Sequence, residues 1–203
     1  MRPDKIDDLV REQAPYVFDR MFSAMDKVRE RMERACLALA DAKVPYAIIG
    51  GNAVAAWVAT RDEGAVRNTQ DVDILLAPAD ADAATQALSS VGFVRVMTMG
   101  VTMFLDGPEG KPSQAIHVIW AGEKVRADYP VAAPMVDRSI EIEGKRIVEL
   151  LSLLEMKLVS NRRKDQVHVL DMIGVGLIDG TWLEKLDPAL VTRLQTLLDD
   201  PKG

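Results

Sequence analysis

From residue 16 to residue 42 the apolar positions Phe18, Met21, Met25, Val28, Met32, Ala35 and Leu39 recur at alternating steps of three and four, with acids and bases between them. That spacing predicts a long amphipathic helix. Pro15 suits its first turn, and Pro45 ends the segment. Methionine and alanine specify a coiled-coil seam poorly, so the stripe is expected to pack on the parent domain.

The period then shortens. YAII at 46–49 reads as a buried strand, Gly50 and Gly51 as a turn, and AVAAWVA as a helix beginning near Asn52. Val72, Ile74, Leu75 and Leu76 have the branching and bulk of a second buried strand. Residues 77–92 predict a proline-opened helix closed by Gly92, followed by a strand at 93–97. Two further strands flank the Gly- and Pro-rich loop 106–112, and residues 135–148 alternate as a hairpin turning at Glu143–Gly144. Residues 148–178 read as one helix, in which Lys157, Asn161, Lys164 and His168 would form a single polar line. Leu186, Leu190, Leu194, Leu197 and Leu198 mark a last amphipathic helix at 181–199.

This order predicts an α+β chain: a mixed sheet with flanking helices, a long N-terminal helix and C-terminal helices. The expected divisions are a helical segment at 1–44, a core at 45–148 and a second helical segment at 149–203, all in one unit. With 203 residues and 48% hydrophobic content, the chain is long enough for one well-packed domain.

A net charge of −6 and a pI near 5.0 argue against a general nucleic-acid coat, which needs many phosphate contacts. The single cysteine, Cys36, allows no internal disulfide and suits a reducing, cytoplasmic setting. The opening residues carry charges throughout and do not resemble a signal peptide, and no apolar run approaches a membrane span.

The chemistry concentrates between Gly50 and Leu76. Asp71 and Asp73 interrupt an otherwise apolar strand and share one of its faces. Two like charges so placed are costly to desolvate unless a cation or several donors compensate, and Mg²⁺ accepts one or two carboxylates with water and phosphate oxygens. The Gly50–Gly51 turn offers backbone NH groups at a helix start, which suits phosphate.

At these positions the sequence resembles the DNA polymerase β-like nucleotidyltransferase superfamily, whose signature is GG or GS at a helix start followed by a strand bearing DxD. RNTQDVDILL is similar to the RxTxDhDh form (h apolar) of AbiEii-type bacterial proteins, which include type IV toxin–antitoxin toxins. Arg67, Thr69, Asp71 and Asp73 fit it. A later segment resembles the KL…R.KD helix of the same proteins through Lys157, Arg163, Lys164 and Asp165, with His168 where an acid is common.

The resemblance implies Mg²⁺- or Mn²⁺-dependent transfer of a nucleotide from a nucleoside triphosphate. Asp71, Asp73 and Lys164 would be catalytic, and Gly50, Gly51, Asn52, Arg67, Thr69, Lys157 and Arg163 would hold the nucleotide. The family places a third carboxylate on a later strand, where this chain has QAIHVIWAG with His117 at its centre, so the expected metal set is Asp71, Asp73 and His117. A tRNA end, a protein side chain and a small molecule all stay open as acceptors. The other reading is an inactive nucleotidyltransferase fold serving as a nucleotide sensor or as the partner of a cognate antitoxin. Both monomer and dimer stay open.

Overall fold

The computed structural model describes residues 3–201, with the side chains of residues 3–15 and of Phe18 outside that description. Helix α1 (Pro3–Asp41) leads through a tight turn into β1 (Tyr46–Ile49), and α2 (Gly50–Ala59) follows β1 with no intervening residue. Then come β2 (Val72–Leu76), α3 (Ala81–Ser90), the hairpin β3 (Phe93–Thr98) and β4 (Val101–Asp106), and β5 (Ile116–Trp120). A second hairpin, β6 (Ser139–Ile142) and β7 (Lys145–Val148), precedes α4 (Leu150–Ser160), α5 (Arg163–Gly174) and α6 (Pro188–Asp199).

The seven strands form one mixed sheet in the order β3-β4-β5-β2-β1-β7-β6. At its centre β2 runs antiparallel to β1 and parallel to β5. The register sets Ile49 and His117 on either side of Asp73. The central strands are apolar because both faces are covered: Ala47, Ile48, Ile74, Leu75, Leu76 and Ile116 have almost no exposed surface. One group of helices, α2, α4, α5 and α6, is joined by mutual contacts, while α1 packs against α3. No described helix is long and apolar enough to cross a membrane.

Three expectations change. The first helix starts at Pro3 rather than at Pro15 and continues through Pro15, giving up one backbone hydrogen bond there. Its stripe packs only in part: Val28, Met32, Ala35 and Leu39 reach the core, but Met21 and Met25 are exposed. Phe18, the first stripe residue, lies outside the described side chains.

The single helix expected over 148–178 is two helices. Asn161 takes a left-handed conformation (φ 45°), and its NH closes α4 on the Lys157 carbonyl at 2.9 Å. Asp165 then caps α5, accepting from the Arg162 NH, the Arg162 Nε and the Ser160 hydroxyl. A residue able to enter the left-handed region, followed three and four residues later by basic and acidic side chains, is thus a break. The proposed line of Lys157, Asn161, Lys164 and His168 does not form.

The tail divides likewise. A short 3₁₀ segment at Gly180–Lys185 precedes α6, which Asp187 and Pro188 open by capping and by a preset φ.

Candidate functional site

Asp73 sits at the middle of the site because of how β1 ends. Ile49 pairs with Asp73 across the sheet, and Gly50 turns immediately into α2 with φ +69°. A Cβ at Gly50 would lie 2.0 Å from Asp73 Oδ2, so only glycine satisfies both the backbone and the carboxylate. Gly51 is also closely approached, though without a left-handed φ: a Cβ there would lie 2.8 Å from Thr69 Oγ1. The GG pair therefore lets the β2 aspartate and the preceding loop close onto the start of α2. Asn52 locks the same junction, its side-chain amide donating to the Asp71 carbonyl at 2.7 Å.

Gly50→Ala is expected to displace Asp73 and strain the turn, lowering the unfolding midpoint and any metal affinity together. Unchanged values for both in the variant would show that the junction tolerates a side chain.

Asp71 lies just before β2, and Lys164 Nζ on α5 stands 3.4 Å from its Oδ2. Burial pushes the Asp73 carboxyl up from its ordinary value; the charge of His117 opposes that shift and the charge of Asp71 adds to it. His117 Nδ1 is 3.8 Å from Asp73 Oδ1, as their register on adjacent parallel strands requires.

The basic side chains behave differently from one another. Lys157 is almost fully buried and points its ammonium at Asp165 Oδ1 at 3.2 Å. Burial lowers its pKa, while Asp165 and, to a smaller extent, Asp73 raise it. Asp165 has no exposed surface, yet its carboxyl is held at about 2: burial raises it, but hydrogen bonds and charge from Arg162, Lys157 and Ser160 outweigh that. Arg67 turns away to Asp171 on α5, with Nε 2.9 and 2.7 Å from the two carboxylate oxygens.

These elements surround a cleft of about 790 Å³. Gly50, Gly51, Thr69, Asp71, Asp73, Lys157 and Lys164 line it; Asn52, Arg67, His117 and Arg163 do not. The sequence reading missed the opposite wall. It is the irregular connection between β5 and β6, which brings Val125, Arg126, Tyr129, Val131 and Met135 to the cleft. Paired hydrogen bonds, Gly122 NH to Ala133 carbonyl at 3.0 Å and Ala133 NH to Glu123 carbonyl at 2.9 Å, pinch the base of this loop. The only advance signal was its mixture of arginine, tyrosine and proline in a stretch with no periodicity. Arg162 and Ser160, drawn in by the helix break, also line the cleft.

For a divalent metal, Asp71 and Asp73 supply hard oxygen donors beside a helix start, which fits an ion completed by phosphate oxygens. Among the described residues, no three His, Cys, Asp or Glu side chains form a ready-made metal cluster. Asp71 and Asp73 fit a metal that arrives with its phosphate.

Acid should loosen this region in two stages. Burial and the Lys157 charge push the His168 imidazole down to about 4, so its contribution is fully present above pH 6.5 and lost as pH falls from there toward 4. Asp165, held at about 2, contributes stability present above about 3.8 and lost as pH falls through 2. Each loss is on the order of 3 kcal/mol at most. Denaturant midpoints measured from pH 7 to pH 3 should fall first between 6.5 and 4, and His168→Gln should remove that first fall; a flat profile in the wild type would contradict the assignment.

No protein-family model matches the sequence, and no curated protein matches it. Solved structures do match in fold. The chain superposes on the antibiotic-resistance factor ANT(2'')-Ia with a TM-score of 0.54 at 14% identity, covering 83% of this chain and 93% of that one. JHP933 from Helicobacter pylori gives 0.51 at 17% identity, covering 88% and 75%. The Megavirus polyadenylate synthase gives 0.52 at 13% identity, covering 86% of this chain but 38% of the viral one. A putative nucleotidyltransferase from H. pylori gives 0.50 at 16% identity, covering 86% and 76%, and the seven-stranded mixed sheet with its flanking helices is a nucleotidyltransferase-like fold.

Proposed function

We propose that this chain binds a nucleoside triphosphate with Mg²⁺ or Mn²⁺ in the cleft and transfers its nucleotidyl group to a hydroxyl acceptor. The observation that carries this reading is the apposition of Asp73 to Gly50, with Asp71 and Lys164 beside it, at the open start of α2. Two carboxylates, free helix-start NH groups and a lysine at one mouth suit a metal-bound polyphosphate better than a carboxylate ligand or a neutral one.

A metal held by Asp71 and Asp73 would neutralise charge developing on the α-phosphate. The NH groups of Gly50 and Gly51 would receive the outer phosphates, and Lys164 would draw charge from the phosphate chain. The apolar side of the cleft, with Tyr129, Val131 and Met135, offers surface for a nucleobase or acceptor. The acceptor hydroxyl would form the new P–O bond and release its proton to solvent, while the bond to pyrophosphate breaks. An RNA end, a protein side chain and a small molecule are the acceptor classes this chemistry serves.

One observation favours a second reading. His117 lies in register beside Asp73, its Nδ1 3.8 Å from that carboxylate; a metal set that took a third ligand from it would gain no negative charge, which suits nucleotide binding without turnover. Incubation with radiolabelled triphosphates, Mg²⁺ or Mn²⁺, and cellular RNA, protein and small-molecule fractions separates the two. Label transferred to one fraction supports the enzyme; saturable binding without transfer supports the sensor; absence of both contradicts the proposal.

A further inference from the structure

His168 belongs to neither carboxylate pair nor the buried ion cluster, yet it lines the cleft. Its place follows from the face of α5 that carries it. Lys164, His168 and Asp171 are spaced four and three residues apart, so they share one side of the helix. Both ends of that face are tied to the same loop: Lys164 to Asp71, and Asp171 to Arg67. The middle residue, His168, shares the cleft lining with Thr69 of that loop, which abuts Gly51 at the start of α2. Contacts between α2 and α5 hold the two helices at that spacing.

The two ring nitrogens have different surroundings. Nδ1 is shut away from solvent with no hydrogen-bond partner. The part-exposed ring lines the cleft, so Nε2 is the nitrogen left to meet a ligand. Lys157 and Lys164 act on this imidazole with positive charge, and Asp165 and Asp171 with negative charge. A bare Nδ1 lone pair is the cheaper buried state, because an N–H there would be a buried donor without an acceptor. That tautomer places the proton on Nε2, facing the cleft.

We infer that His168 is a phosphate-binding residue of this site, a neutral Nε2–H donor to the outer phosphate of a polyphosphate seated between Lys164 and the Gly50–Gly51 turn. The inference rests on the proposed nucleotide site and adds a residue and a ligand atom class to it. A charge-assisted hydrogen bond of this kind is worth about 1.4 kcal/mol or more, and therefore about tenfold or more in affinity.

The probe is inorganic tripolyphosphate with Mn²⁺, which needs no knowledge of the base, titrated calorimetrically into wild type, His168→Ala and His168→Gln. Circular dichroism and melting curves establish that each variant is folded. Glutamine keeps a neutral N–H donor of similar reach. The expected result is a loss of about tenfold for His168→Ala and a return to within about threefold of wild type for His168→Gln.

Equal affinity of wild type and His168→Ala would overturn the inference and leave the nucleotide site standing. An equal loss in both variants would also overturn it, since a donor at this position would then not matter. Binding of nucleoside triphosphates without binding of tripolyphosphate would remove the phosphate role alone. No binding of either by wild type would overturn the inference and the proposed function together.

Discussion

Asp71→Asn and Asp73→Asn are each expected to lower metal-dependent nucleotide transfer by about 10²- to 10³-fold or more while leaving the protein folded. The two substitutions should differ in stability. Asp73 is desolvated beside Gly50, and burial raises its pKa. A carboxyl whose folded pKa is raised works against the folded state wherever it is ionised, so a neutral amide of the same shape removes that penalty at pH 7. Asp73→Asn should therefore melt at or above the wild-type temperature without metal. Asp71 is more open and pairs with Lys164 across a partly exposed 3.4 Å gap, an arrangement worth little to stability, so Asp71→Asn should melt close to wild type. Melting curves beside transfer assays decide the matter. If either variant unfolds at room temperature, its aspartate is part of the scaffold and its place in the site needs another explanation.

Asp165→Ala should be the most destabilising single change in the site region. Asp165 is fully buried and accepts hydrogen bonds from Lys157, Ser160 and Arg162, and it caps α5. Removing it leaves the Lys157 ammonium buried without its anion, at a cost on the order of 3–5 kcal/mol. Lys157→Met in the same chain should recover part of that loss, because the stranded charge goes with it. Chemical denaturation of the two single variants and the double variant measures the coupling. Strict additivity would mean that the lysine and the aspartate stabilise the fold independently, against the geometry described above.

The legible parts of this chain were those in which local pattern and chemistry coincide. The GG turn and the DVD strand could be read because glycine at a helix start and acids in an apolar strand are both expensive without a reason, and the close approach of Asp73 to Gly50 joins them. The register of His117 beside Asp73 could not be read in advance, because it depends on which strand β5 joins and at what offset. What the sequence hid lies in tertiary partners. Arg67 and Asp171 are distant in the chain, and only the packing of α5 on α2 makes them a pair. The break at Asn161 depends on Asp165 reaching back to Ser160 and Arg162, which helical periodicity alone does not announce. The wall containing Arg126 and Tyr129 has no period, so its role is fixed by the hydrogen bonds at its base rather than by its own sequence.

Asp71, Asp73 and the Gly50–Gly51 turn are proposed to form one metal–polyphosphate site. Its most direct test is calorimetric titration of Mn²⁺ and a non-hydrolysable nucleoside triphosphate, separately and together, into wild type and Asp73→Asn. Weak binding of each alone, binding at least tenfold tighter when both are present, and loss of that coupling in Asp73→Asn are the expected results. Equal triphosphate affinity with and without Mn²⁺, unchanged by Asp73→Asn, would contradict it.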